Sequence, residues 1–95
     1  MARETNCERQ RNLLTLLVVC CRHALQFRDL NSLEHSIRCA RKSYAAALRN
    51  AAHLSFSVYD VQEFERRTIA VESALVKLER QYQLLKRLPR RATPA

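Results

Sequence analysis

The feature that most restricts the fold is the complete absence of glycine from the 95 residues of this chain. Tight hairpin turns, β-bulges and phosphate-binding loops depend on glycine because they need backbone angles with positive φ. The only prolines are Pro89 and Pro94, so no proline interrupts a helix before the C-terminal tail. Sheets joined by tight hairpins, dinucleotide-binding folds and P-loops are therefore disfavoured, and the sequence predicts an all-α fold.

The most apolar stretch of the chain is LLTLLVVCC, residues 13–21, which contains a single polar residue. A membrane-spanning helix needs about 20 consecutive apolar residues, and Arg11 and Arg22 lie too close together to allow that length. A signal peptide can use a shorter run, but Glu4 and Glu8 dilute the basic residues before it, and no small-residue cleavage site follows. We predict that this stretch is the core of a helix and that the chain has no membrane segment.

The apolar stretch belongs to an amphipathic first helix, expected over about residues 4–28. Apolar residues that recur at intervals of three and four positions predict its buried face. That predicted face consists of Leu13, Leu17, Cys20, Ala24 and Phe27. The predicted solvent face consists of Glu4, Glu8, Arg11, Thr15, Arg22, Gln26 and Asp29.

A second helix is expected over about residues 32–54. Asn31, followed three positions later by Glu34, has the form of a capping box and marks its start. A heptad-like apolar line runs along most of it: Leu33, Ile37, Ala40, Tyr44, Ala47, Ala51 and Leu54. Because several members of this line are alanines, a neighbouring helix can approach closely.

A third helix is expected over about residues 58–88, with either Ser57 or Asp60 as its N-cap. Its apolar line again advances by three and four positions: Val61, Phe64, Thr68, Val71, Leu75, Leu78, Tyr82 and Leu85. Pro89 prevents the helix from continuing.

These three patterns predict one domain over residues 1–88, an antiparallel three-helix bundle with coiled-coil-like heptad packing, followed by a basic, disordered tail over residues 89–95. A connection centred near residue 56 would place Glu72 opposite Arg41 on the neighbouring helix. The same register would place Glu79 near Arg38.

The four cysteines show none of the CxxC spacings of zinc ribbons or thioredoxin-like sites: Cys7, Cys20, Cys21 and Cys39. An antiparallel hairpin of the first two helices would set Cys20 and Cys21 level with Cys39, with His23 and His35 one turn nearer its tip. A Cys/His metal site or a disulfide at this level is therefore an alternative. We predict instead small buried side chains, no metal or cofactor, and a reducing cytoplasmic location.

The sequence offers little basis for catalysis. The three histidines, His23, His35 and His53, fall about one in each helical region, with no cluster of acids or nucleophiles beside them. Small helical bundles without glycine loops also offer few pockets. We therefore predict that the protein is not an enzyme.

A net charge of +8, from 17 basic and 9 acidic residues, is the best argument for a specific partner. Two stripes of basic residues could follow nucleic-acid phosphates. They are Arg38, Arg41, Lys42 and Arg49 on the second helix, and Arg66, Arg80 and Arg87 on the third. Nucleic-acid binding is the alternative function, although the chain has neither an RNA-recognition aromatic pattern nor a helix-turn-helix pair.

Protein–protein association is the function that the sequence favours most. Ile69 and Val76 lie seven positions apart on the third helix, outside its apolar line. Val19 and Phe56 are similarly in excess of what a three-helix core needs. A row of apolar residues outside the core indicates a further packing partner. We predict a homodimer through this surface as the simplest case, with a second protein as another possible partner.

Overall fold

A computed structural model describes residues 6–88 as three α-helices joined by two short connections. The helices are α1 (Asn6–Ala24), α2 (Leu30–Ala51) and α3 (Val58–Arg87). Each helix packs against the other two, and this range contains no strand. The structure confirms the predicted all-α three-helix bundle. The expected disordered tail, residues 89–95, lies outside the described residues.

The α2 and α3 helices run antiparallel, as two hydrogen bonds between them show. The Tyr44 hydroxyl donates to Glu72 over 2.8 Å, and the Tyr82 hydroxyl donates to Glu34 over 3.2 Å. The first bond lies in the middle of both helices, whereas the second joins the start of α2 to the end of α3. The Cys7 thiol at the start of α1 lies 3.5 Å from the Ser55 carbonyl oxygen, just beyond the end of α2, so α1 and α2 are antiparallel as well.

Within residues 6–88, the core lies along the bundle axis and combines five large apolar residues with four alanines and one cysteine. Its buried members are Leu14, Cys21, Ala24, Leu33, Ala40, Ala47, Val71, Ala74, Leu75 and Leu78. The apolar lines predicted for α2 and α3 supply most of these residues. The apolar line predicted for α3 is wrong at its first member, because Val61 is 40% exposed. Small side chains on α2 allow close helix approach, since interaxial distance depends on the side chains at the contact.

The predicted buried face of α1 is confirmed at Ala24, and Leu17 and Phe27 pack against the core. The prediction is wrong at Leu13 and Cys20. Leu14 is fully buried, whereas Leu13 is 41% exposed and Cys20 is exposed as well. On the face expected to be in solvent, Thr15 accepts a hydrogen bond from Arg67 of α3. The helix is therefore rotated so that the side holding Thr15 turns toward α3, while Leu13 and Cys20 move out of the core.

The start of α2 also differs from the prediction. Asp29 is the N-cap, and its carboxylate accepts a bond from the Ser32 backbone N–H at 2.9 Å and from the Ser32 hydroxyl at 2.8 Å. These bonds to the ionised form lower the pKa of Asp29. The predicted Asn31 cap is wrong because α2 already begins at Leu30. The preceding helix, α1, ends at Ala24 rather than near residue 28.

The start of α3 uses one of the two expected caps. The Ser57 hydroxyl oxygen accepts from the Asp60 backbone N–H at 3.1 Å and donates to the Asp60 carboxylate at 3.0 Å. This reciprocal pair satisfies an otherwise unpaired N–H of the first turn and places a negative charge at the positive end of the helix dipole.

Candidate interaction surfaces

The two residues of α3 that were predicted to bind a partner are exposed, but they belong to different clefts. Ile69 is 65% exposed and Val76 is 47% exposed. Ile69 lines the α1–α3 cleft, a cavity of about 360 Å³ that also contacts Val18 and Leu25. Val76 lines the α2–α3 cleft, a cavity of about 770 Å³. The two side chains therefore border different clefts, although they lie seven residues apart on the same helix.

The other two residues predicted at that interface differ in their surroundings. Val19 is 54% exposed on the outside of α1. Phe56 is half-buried in the α2–α3 connection, where its ring lies 5.2 Å from the Phe64 ring. Part of the apolar surface of Phe56 is therefore already used within the fold, whereas most of the Val19 side chain contacts solvent.

A third surface, which the sequence analysis missed, lies between α1 and α2. Its exposed apolar residues include Leu16, which is 57% exposed, and Leu13. We call it the α1–α2 groove, a cavity of about 260 Å³ lined by Leu13, Leu16, Leu17, Cys20, Ser43, Ala46, Ala47 and Asn50. No charged side chain is among these lining residues. The sequence did not predict this surface because Leu13 and Cys20, which line it, were both expected in the core.

The groove continues toward the α1–α2 connection into an adjoining cavity of about 250 Å³, with which it shares Leu17, Cys20 and Ser43. The α2 wall of this combined surface is a row of small, uncharged residues spaced by three and four positions. The row consists of Ser36, Cys39, Ser43, Ala46 and Asn50. This spacing is visible in the sequence and could have identified the α2 wall beside the apolar line.

The adjoining cavity brings together the cysteines that were expected at one level. Cys20, Cys21 and Cys39 all line it, and the Cys39 Sγ atom lies 3.5 Å from Nε2 of His35. Burial, followed by the nearby Cys20 thiol, raises the pKa of Cys21. All four cysteines are free, and the prediction that their side chains are buried is confirmed only for Cys21, because Cys20 and Cys39 are exposed. Among residues 6–88, no group of three or more His, Cys, Asp or Glu side chains is placed to hold a metal ion.

The predicted ion pairs between α2 and α3 are wrong. Arg41 pairs with Glu79, not with Glu72. Glu72 instead accepts the hydrogen bond from Tyr44, and Arg38 pairs within its own helix rather than with Glu79. The midpoint of the Tyr44–Glu72 pair is residue 58, about two positions later than the connection assumed from the sequence.

The contact between Tyr44 and Glu72 also changes the acidity of the phenol. Burial, then the hydrogen bond to Glu72 and its negative charge, raise the pKa of Tyr44 from 10.0 to about 12. Burial and the bond to Glu34 raise the pKa of Tyr82 as well. These two tyrosines therefore join α2 to α3 while their hydroxyl groups keep their protons.

The seven candidate phosphate-binding residues do not form one surface. Arg38 pairs with Glu34 at 2.8 Å, and Arg66 pairs with Glu63 at 3.4 Å. Arg66 lines the α1–α3 cleft, whereas Arg41 lines the α2–α3 cleft together with Arg80 and Arg87. Four of the seven form no ion pair with any residue in the range 6–88: Lys42, Arg49, Arg80 and Arg87.

No protein-family model, no curated protein and no solved structure matches this chain. Within the part of the chain that the structure describes, no helix has both the length and the apolar content needed to cross a membrane. The fold and its surfaces define a small basic helical bundle with one uncharged groove and two clefts that carry arginines.

Proposed function

We propose that this protein is a non-enzymatic protein–protein interaction module that self-associates and works in a reducing, cytoplasmic environment. The observation that supports this proposal best is the α1–α2 groove, where Leu13 and Leu16 stay exposed beside small uncharged residues. Scattered apolar residues on a surface are ordinary, but a contiguous apolar patch is typical of an interaction site.

The energetics are compatible with reversible association. Burying apolar surface contributes about 25 cal/mol per Å², but association also costs about 4 to 15 kcal/mol in lost translational and rotational freedom. For a small apolar surface, the net free energy of association is therefore only modestly favourable. We expect dissociation constants in the micromolar range.

The positions of the histidines support a function without catalysis. His23 packs edge-on against Phe27, with ring centroids 5.7 Å apart, and His35 contacts Cys39. His53 follows the end of α2, at the opposite end of that helix from His35. His23 and His35 each contact a neighbouring side chain, and His53 lies apart from His35, which supports a function without catalysis.

Size-exclusion chromatography coupled to light scattering tests the proposal. At tens of micromolar, we expect a mass near twice the 11.1 kDa of one chain. On dilution the mass should fall toward that of one chain, because the expected affinity is moderate. A single-chain mass at every concentration would contradict self-association.

Nucleic-acid binding is a second candidate, favoured by one specific observation. Arg80 and Arg87 lie in the α2–α3 cleft without a carboxylate partner among residues 6–88, and Arg41 lines the same cleft. Cations placed along a cleft can contact successive phosphates, and such binding weakens steeply as the salt concentration rises.

Fluorescence anisotropy with a labelled mixed-sequence DNA or RNA distinguishes the two candidates. We expect weak binding at low salt that is lost at physiological salt. Tight binding at physiological salt would favour nucleic acid, provided that Arg80→Gln with Arg87→Gln abolishes it. The control is Lys42→Gln with Arg49→Gln, which removes the same charge outside the cleft.

A further inference from the structure

We infer that the α1–α2 groove is the interface of a homodimer, in which the groove of one copy packs against the same groove of a second copy across a two-fold axis. This inference rests on the self-association proposed above and adds the face, the occupant and the symmetry. It places the interface away from Ile69 and Val76.

The shape of the groove is self-complementary. Its α1 wall carries the large side chains of Leu13 and Leu16, and its α2 wall carries the small side chains of Ser43 and Ala46. In a two-fold arrangement each patch meets its own copy, so every contact occurs twice. The leucines of each copy can then enter the hollows above the small residues of the other, as ridges pack into grooves between helices.

The distribution of charge selects this face over the other two. The chain carries a net charge of +8, so two copies repel, and the repulsion is weakest where the surfaces that meet carry no charge. The α2–α3 cleft is lined by charges of both signs, namely Arg41, Arg80, Arg87, Glu34 and Glu79. The α1–α3 cleft is lined by Arg22, Arg66 and Lys77. Two-fold packing on the α1–α3 cleft would bring like charges together, which costs affinity. Packing on the α2–α3 cleft would remove charged side chains from water, which also costs free energy. The α1–α2 groove has no charged lining residue.

The size of the face suits a reversible dimer. The combined α2 wall spans residues 35–50, which is about 24 Å at a rise of about 1.5 Å per residue. Two helices side by side are about 20 Å wide. The footprint is then about 500 Å² per copy, or about 1,000 Å² in total, which lies at the lower limit for a specific interface. An interface of this size is typical of weak, transient association.

Four single substitutions, all at exposed positions, test the interface by sedimentation equilibrium. Leu16→Glu and Ser43→Glu place a charge on the two walls of the groove. Val19→Glu and Ala45→Glu make the same charge change on the same helices, at residues that do not line the groove. Circular dichroism checks that each variant retains its helix content.

We expect each groove substitution to raise the dimer dissociation constant about a hundredfold. The substituted residue occurs twice in a two-fold interface, and each occurrence should weaken the affinity about tenfold. The two control substitutions should change it less than about threefold. The small reduction in net charge is common to all four variants, so it cannot produce this difference.

The outcomes distinguish an error in the location of the interface from an error in the proposed self-association. If the groove variants dimerise like the wild type while Ile69→Glu with Val76→Glu abolishes the dimer, the inferred face is wrong and the self-association stands. If Val19→Glu or Ala45→Glu dissociates the dimer as strongly as the groove variants, the inferred face is also wrong. If the wild type is a monomer throughout, both the proposed self-association and this interface are overturned.

Discussion

The rotation of α1 can be tested by truncating two adjacent leucines. Replacing Leu by Ala removes the equivalent of about three methylene groups, at about 0.8 kcal/mol each when fully buried. Leu14 is 0% exposed, so Leu14→Ala also leaves a cavity, and we expect a total loss of about 3 to 4 kcal/mol. Leu13 is 41% exposed, so only about three fifths of the transfer free energy of the removed methylene groups is lost, and no closed cavity forms. Leu13→Ala should therefore cost about 1 to 1.5 kcal/mol.

The measurement is urea unfolding of both variants, followed by far-UV circular dichroism and analysed as a two-state transition. The protein concentration should be low enough that monomer dominates, since dimerisation through the groove would bury Leu13 further. The wild type and both variants are compared at the same concentration. If Leu13→Ala costs as much as Leu14→Ala, the helix is not rotated as described, and the groove loses its leucine wall.

Three further predictions follow from individual residues. Cys20 should react with iodoacetamide well before its neighbour Cys21, which is 1% exposed and has a raised thiol pKa; equal rates by mass spectrometry would contradict this. Ser57→Ala should cost about 1 kcal/mol in the free energy of unfolding through loss of the N-cap, and no measurable loss in urea would refute the cap. Because the folded pKa of Tyr44 is raised to about 12, its stabilising effect is complete below pH 10 and is lost as the pH rises toward 12. Glu72→Gln should lower that pKa part of the way toward 10.0 in an ultraviolet titration, and an unchanged value would contradict the contact.

The buried faces of α2 and α3 could largely be predicted because polar residues separate their apolar positions. On α2 the line that includes Leu33, Ala40 and Ala47 is buried, and on α3 Val71 and Leu78 are fully buried. Each of these helices has one clear apolar phase. The pattern alone was therefore enough to place most of the core.

The phase of α1 could not be predicted in the same way. In LLTLLVVCC nearly every position is apolar, so the line through Leu13 and Cys20 fits the helical period as well as the line through Leu14 and Cys21. The choice depends on contacts with another helix, such as the hydrogen bond between Thr15 and Arg67. Such tertiary contacts do not appear in the periodicity of one segment.

Predicting the ion pairs and the groove also required tertiary contacts between helices, which the periodicity of one segment does not contain. The α2–α3 connection was placed too early: Arg41 pairs with Glu79 about a midpoint at residue 60, whereas a centre near residue 56 pointed to Glu72. The α1 wall of the groove was missed because Leu13 had been assigned to the core. The α2 wall was visible as a row of small residues, but its meaning depended on which face of α1 lay beside it.

The most direct test of the central claim, self-association through an uncharged apolar face, is the salt dependence of sedimentation equilibrium for the wild-type protein. Lys42 and Arg49 lie exposed on α2, so the two copies carry like charges around the interface. Salt screens such charges over a Debye length of about 8 Å at physiological ionic strength. We predict a dimer whose dissociation constant stays the same or falls as sodium chloride is raised from low to high concentration. A protein that stays monomeric throughout, or a dimer that dissociates as salt is added, would contradict the account.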